Sequence, residues 1–250
     1  MKQNFSIGFQ LITLVLSVLF CIVLSSVFSG VTLQLLGFET IDLANPKTYI
    51  ISGFYSQLIG FIGGFLMFLK ITKQSFISVI EINRPNIKLS LVIIGLLLLA
   101  YPIMLILGYY NAFLKELIPN NTFILQELET DNYQRNLLEN NGTIMLYLKL
   151  FVIALLPAIG EELVFRGILL SKIKLASNSE HYGVIVSAVL FATIHLQPTK
   201  LLPMIFLGLV LGYIYTKTKN ITYSMLFHFL FNGSTIIIAH FDITLESIFF

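Results

Sequence analysis

The chain has 250 residues, of which 56% are hydrophobic and 11% charged, and its mean hydropathy is +0.87. A soluble globular domain carries about 25% charged residues, so the composition excludes a soluble fold and sets the class as all-α, a polytopic bundle of transmembrane helices. The net charge of +2 gives no ground for a nucleic-acid partner, and the single cysteine, Cys21, excludes an intrachain disulfide or a thiolate metal cluster.

In chain order, apolar runs long enough to span a bilayer occur at about 7–36, 50–69, 89–109, 144–170 and 222–239. The first run follows Met1-Lys2 but exceeds the length of a signal-peptide core, so it is expected to be a retained span. Two shorter runs, 183–196 and 201–215, flank Gln197-Pro198-Thr199-Lys200 and predict a helical hairpin that bends within the protein. Seven helices are expected, within a range of six to eight. Lys2; Lys70, Lys73, Arg84 and Lys88; Lys172 and Lys174; and Lys217 and Lys219 fall on one side of such a layout. Glu39 and Asp42, the acidic residues of 111–143, and Asp242 and Glu246 fall on the other. The positive-inside rule then predicts a multi-pass protein of the cell membrane, with its N-terminus cytoplasmic and its C-terminus outside.

The whole chain, 1–250, reads as one integral membrane domain without repeats. Residues 1–110 read as scaffold, since polar side chains at membrane depth are almost absent there and Gly60, Gly63 and Gly64 offer close helix contacts. The polar segment 111–143 predicts an extracytoplasmic loop with one amphipathic helix, and 70–88 either a short interfacial helix or a basic loop. Residues 144–240 hold nearly all the intramembrane chemistry.

The most telling stretch is Gly160-Glu161-Glu162-Leu163-Val164-Phe165-Arg166-Gly167, three formal charges inside an apolar run. Each charge at the bilayer centre costs roughly 2.5–3.5 kcal/mol on insertion scales, so an ionisable group there is a functional candidate by default. Glu162 and Arg166, four apart, can pair along one helix face, whereas Glu161 projects about 100° away and stays free of that pair. Pro157 and Gly160 weaken the helix just before them, and a kink there would admit water. Phe191-x-x-x-His195 and His228-x-x-x-Asn232 add two imidazoles and an amide at one-turn spacing. Alone, a histidine on an apolar helix is more often a hydrogen-bonded core residue. Glu161, His195 and His228 are separated by 34 and 33 residues, which allows three different helices to bring them to one depth.

A carboxylate can take a proton from water, an imidazole can give one, and an amide with a second imidazole can hold an oxyanion. The same groups suit a metal that acidifies water, or a proton-coupled transporter. Physical chemistry leaves these alternatives open. The ordered set Glu-Glu-x-x-x-Arg, Phe-x-x-x-His and His-x-x-x-Asn, over about 146–238, resembles the CAAX-protease and bacteriocin-processing (Abi) family of intramembrane proteases. The resemblance implies an endopeptidase in which Glu161 activates water with His195, His228 and Asn232 stabilise the oxyanion, and Glu162 and Arg166 support the site. Members of that family have been described with and without a metal. Glu161, His195 and His228 are the candidate zinc ligands, and no obligatory metal is the favoured side of that choice.

The implied partners are the lipid bilayer and a membrane-embedded or membrane-associated peptide or protein. The competing readings are a non-catalytic immunity or binding protein with the same fold and, less favoured because the first half is so apolar, a proton-coupled transporter. His181 is expected to be solvated, His240 interfacial, and Cys21 a small packing residue.

Overall fold

The structure, a computed structural model, describes residues 5–39, 42–116 and 142–242. Its elements are α1 (Ile7–Leu35), α2 (Pro46–Thr72), the single turn α3 (Phe76–Val79), α4 (Ile87–Glu116), α5 (Thr143–Ser177), α6 (Glu180–Thr193), α7 (Leu201–Thr218) and α8 (Ile221–His240). No strand occurs among the described residues. Six of these helices are long and apolar enough to cross a membrane, and α6 is a shorter apolar helix. The chain is thus a polytopic helical bundle. The loop expected over 111–143 lies outside the described residues except at its ends, which continue α4 and begin α5.

The helix starts are set by side-chain caps. Ser6, Asn45, Ser179 and Asn220 accept hydrogen bonds from the first-turn amides of α1, α2, α6 and α8, satisfying donors that the helix itself cannot. The second span begins at Pro46, earlier than the apolar run, because proline suits a first helical turn. The run expected to end at Tyr215 continues to Thr218 and, with the turn Pro198–Lys200, is long enough to cross. Apolar counting stops at Tyr215, but Thr216, Lys217 and Thr218 still take helical backbone bonds. Only the α6 half of the expected hairpin is short.

Helix packing follows the rule that small residues let backbones approach. On α2, a Cβ at Gly64 would lie 2.8 Å from Val18 Cα of α1, and one at Gly60 would lie 3.1 Å from Ile22. On α7, a Cβ at Gly208 would lie 2.8 Å from Ala188 Cα of α6. Hydroxyl pairs add cross-links: Ser29 with Ser52 (3.0 Å) and Thr32 with Tyr55 (2.8 Å) between α1 and α2, and Tyr101 with Ser234 (2.5 Å) between α4 and α8. Cys21 is buried and touches Met67.

One end of the bundle gathers the basic connections. Gln74 bonds Gln10 near the start of α1 and accepts from Lys172 at the end of α5. The α3–α4 connection is stitched to the α7–α8 turn: Ile221 N donates to the Glu81 carbonyl (2.9 Å), and Asn220 to that of Asn83 (2.8 Å). The interfacial-helix expectation for 70–88 reduces to α3, after which Ile80 is buried against Gly167. Near this end a cavity of about 600 Å³ lies between Ile80, Gly167, Lys172, Lys174, Glu180 and Tyr215.

Three stretches are wound as π-helix: Ser56–Gly63 of α2, and Leu150–Leu155 and Leu163–Leu170 of α5. Such widened turns often occur at functional sites. The irregularity expected near Pro157 and Gly160 takes this form, with the α-helical piece Leu156–Glu162 held between two π segments.

Candidate active site

The sequence puts Glu161 and Glu162 in that α-helical piece of α5, one turn before Arg166. Burial is nearly complete: Glu161 is 6% exposed, Glu162 and Arg166 0%, and His228 2%. Such charges persist away from water only where each finds partners. Arg166 donates from one terminal nitrogen to Glu162 Oε1 (2.7 Å) and from the other to the Gly208 carbonyl (3.2 Å). Its guanidinium also lies 4.6 Å from the Phe191 ring centroid. The close α6–α7 contact at Gly208 is what brings that carbonyl within reach.

His228 of α8 meets both glutamates. Its Nδ1 is 3.0 Å from Glu162 Oε1, and its Nε2 is 3.9 Å from Glu161 Oε2, which is an ionic contact longer than a hydrogen bond. The other oxygen of Glu161, Oε1, accepts from Gln57 Nε2 of α2 (2.9 Å).

Asn232, one turn beyond His228, donates to the Ile153 carbonyl (3.2 Å). Ile153 is the residue four before Pro157, whose ring nitrogen has no hydrogen to give. One N–H of the amide is taken up by that carbonyl, and the second N–H remains.

His195 stands differently from its expectation. It lies in the turn after α6, which ends at Thr193, and it is half-buried. Its Nδ1 is 2.7 Å from the Phe191 carbonyl, an oxygen that can only accept, so Nδ1 carries the hydrogen and Nε2 is the free nitrogen. Among the described residues no hydrogen bond joins His195 to either glutamate. Phe191 links the two histidines instead, with ring centroids 4.9 Å from His195 and 6.0 Å from His228.

The candidate zinc set Glu161, His195 and His228 is not assembled: among the described residues no three His, Cys, Asp or Glu side chains come close enough to hold a metal ion. Glu161 and His228 form a pair, and His195 contacts the Phe191 ring. His181 is exposed and bonds Tyr213, whereas His240, expected at the interface, is buried beside Phe241.

Sequence reading missed Gln57. It belongs to the half taken as scaffold, and its partner is 104 residues away. The available signal was an amide in the otherwise apolar middle of a span.

The fold and this cluster define a class: a multi-pass helical membrane protein with a carboxylate, imidazole and guanidinium centre enclosed among its helices. Comparison with known proteins adds a likeness over part of the chain. Residues 143–234 match the family described as type II CAAX prenyl endopeptidase Rce1-like. The match contains Glu161, Glu162, Arg166, His195, His228 and Asn232, agrees with the resemblance found in the motifs, and supports an intramembrane endopeptidase of CAAX type in general. No curated protein and no solved structure matches the chain.

Proposed function

We propose that the protein hydrolyses a peptide bond in a membrane-associated peptide or protein, with Glu161 as the general base. The observation that carries this reading is the pair Glu161–His228 at 3.9 Å, with Glu162 bonded to the other nitrogen of the same imidazole. Glu161 takes a proton from water, and the hydroxide formed attacks the scissile carbonyl. The oxyanion is held by the Nε2–H of His228 and by the second N–H of Asn232. As the C–N bond breaks, the proton held by Glu161 passes to the departing amine, and His195, half-buried at the exit of α6, assists Glu161 with the water through its Nε2. Glu162 and Arg166 fix His228 and take no part in bond breaking. Of the three candidate zinc ligands only Glu161 and His228 meet among the described residues, so the proposed steps use no metal, and a chelator should leave turnover unchanged.

The composition, rich in Ile, Asn, Lys and Phe, favours a bacterial setting and a leader peptide or another membrane protein as substrate. The basic end of the bundle carries the N-terminus side of α1 through Gln10 and Gln74, which supports a cytoplasmic N-terminus in the cell membrane.

The test compares membrane peptides from cells with wild type and with Glu161→Gln. Gln keeps the shape and removes the base, so peptide release should fall by about 10²–10⁴-fold while the variant stays folded in detergent. Unchanged peptides would remove Glu161 from the base role and favour a non-catalytic binding protein.

A further inference from the structure

We infer that Gln57 is a positioning residue for Glu161, so that the active site is completed by the first half of the chain, outside the segment that carries the family match. The inference rests on the endopeptidase reading above and deepens it.

Gln57 lies in the π-helical stretch Ser56–Gly63 of α2, and its Nε2 donates to Glu161 Oε1 at 2.9 Å. That bond leaves Oε2 directed towards His228 Nε2. A carboxylate on a flexible side chain has several rotamers, and a base works only from those that face the water it deprotonates. Gln57 removes the alternatives by occupying one oxygen.

The other end of the amide supports a specific purpose. Gln57 Oε1 is buried and has no hydrogen-bond partner among the described residues. An unpaired buried carbonyl is unfavourable, and turning the amide over would set that oxygen against the Glu161 carboxylate. The amide therefore presents its NH₂ to Glu161 at the expense of its own oxygen. Room for this comes from Gly160, where a Cβ would lie 3.3 Å from Gln57 Oε1 and 3.0 Å from Phe61 Cβ. The glycine before the glutamates thus lets α2 approach closely enough for the contact.

The experiment has two arms on the full chain in detergent. In the first, thermal unfolding is followed for wild type, Gln57→Met, Glu161→Leu and the double variant. Coupling through a real contact makes the double variant's shift differ from the sum of the single shifts. In the second, kcat and KM are measured on a peptide whose release depends on the wild-type protein. Gln57→Met should lower kcat about 10- to 100-fold with KM unchanged, the size expected for losing a hydrogen bond to a charged group. Gln57→Glu has the same shape but no donor towards an ionised Glu161, and it should lose turnover as Met does. A role in packing alone would leave Gln57→Met, which fills the same space without a charge, close to wild type. Additive unfolding shifts, or unchanged kcat in Gln57→Met, overturns the inference. Coupling without any wild-type peptide release instead overturns the endopeptidase reading, and the positioning role falls with it while the contact stands.

Discussion

Helices α1 and α5 are both long and apolar, yet they bury opposite things. On α1 most protein-facing positions are small or weakly polar, namely Thr13, Ser17, Cys21, Ser25 and Ser29, with Leu14 and Leu33 beside them, while Ile12, Leu16, Phe20 and Val23 face outward. On α5 the interior side holds Glu161, Glu162 and Arg166. Where lipid takes the place of water, large apolar groups gain nothing by turning inward, so the interior goes to residues that need a partner or permit a close approach. In α1 that need is met by packing and hydroxyl bonds. In α5 it is met by ion pairs held in place by four other helices, α2, α6, α7 and α8.

The comparison is broken most forcefully at Arg166. Arg166→Ala strands Glu162 as a buried unpaired carboxylate, and removing one partner of a buried pair costs about 3–5 kcal/mol. Expression and detergent stability should collapse, and Glu162→Gln with Arg166→Met should recover part of both. Wild-type levels of Arg166→Ala in the membrane would show that the α5 charges are not held as the geometry requires.

Glycine contacts sharpen the contrast. Gly208→Ala forces a Cβ onto Ala188 backbone and Gly64→Ala forces one onto Val18 backbone, each at 2.8 Å. Overpacking of this kind costs about 1–3 kcal/mol, read as a lower unfolding temperature in both variants. Only Gly208→Ala also displaces the carbonyl that holds Arg166, so its turnover should fall further than its stability explains. Equal loss of turnover in Gly64→Ala would erase the distinction between the two regions.

A smaller effect belongs to the hydroxyl pairs. Thr32→Val removes the bond to Tyr55 (2.8 Å) and should cost about 0.6 kcal/mol, as interhelical hydrogen bonds in membranes do on average. A loss comparable to that of Arg166→Ala would place α1 on the same energetic footing as α5.

The smallest effect lies outside the spans. Lys174, bonded to Glu180 at 3.0 Å, holds that carboxyl below its ordinary value, and Lys217 at 3.2 Å adds to this. The stabilisation is present above the ordinary carboxylate value and is lost as pH falls through the lowered one. Because the groups are partly exposed, it amounts to about 0–1 kcal/mol. Glu180→Gln should therefore flatten the acid side of the stability profile slightly, and a large change would show that the α5–α6 turn governs the fold.

Much of the site was legible because its signals are local. Glu162 and Arg166 announce their pairing by spacing, and charge in an apolar run is conspicuous by itself. What escaped depends on distant chain meeting in space. Gln57 has no polar neighbour one turn away, and only the approach of α2 to Gly160 gives it a role. Phe191 was noted as part of a motif, yet its place between the two imidazoles follows from where α6 ends. That end, at Thr193, also turned His195 out of the helix. In the fold, the spans were visible as apolar runs, whereas the close α6–α7 contact depends on Gly208 meeting Ala188, a relation that neither run reveals alone.

The π segments of α5 give the helix a phase. Each residue of an α-helix turns the chain by about 100°, so a segment that accommodates extra backbone resets the azimuth of everything after it. Winding Leu163–Leu170 as ordinary α-helix with every residue kept would leave hydropathy and span length almost untouched. It would nevertheless rotate Ile173 out of the core relative to Glu161. A chain altered in this way would still insert and still look like a membrane helix on paper. Its two halves of α5 would then be out of step, with the glutamates and the end of the helix no longer able to face their partners at once.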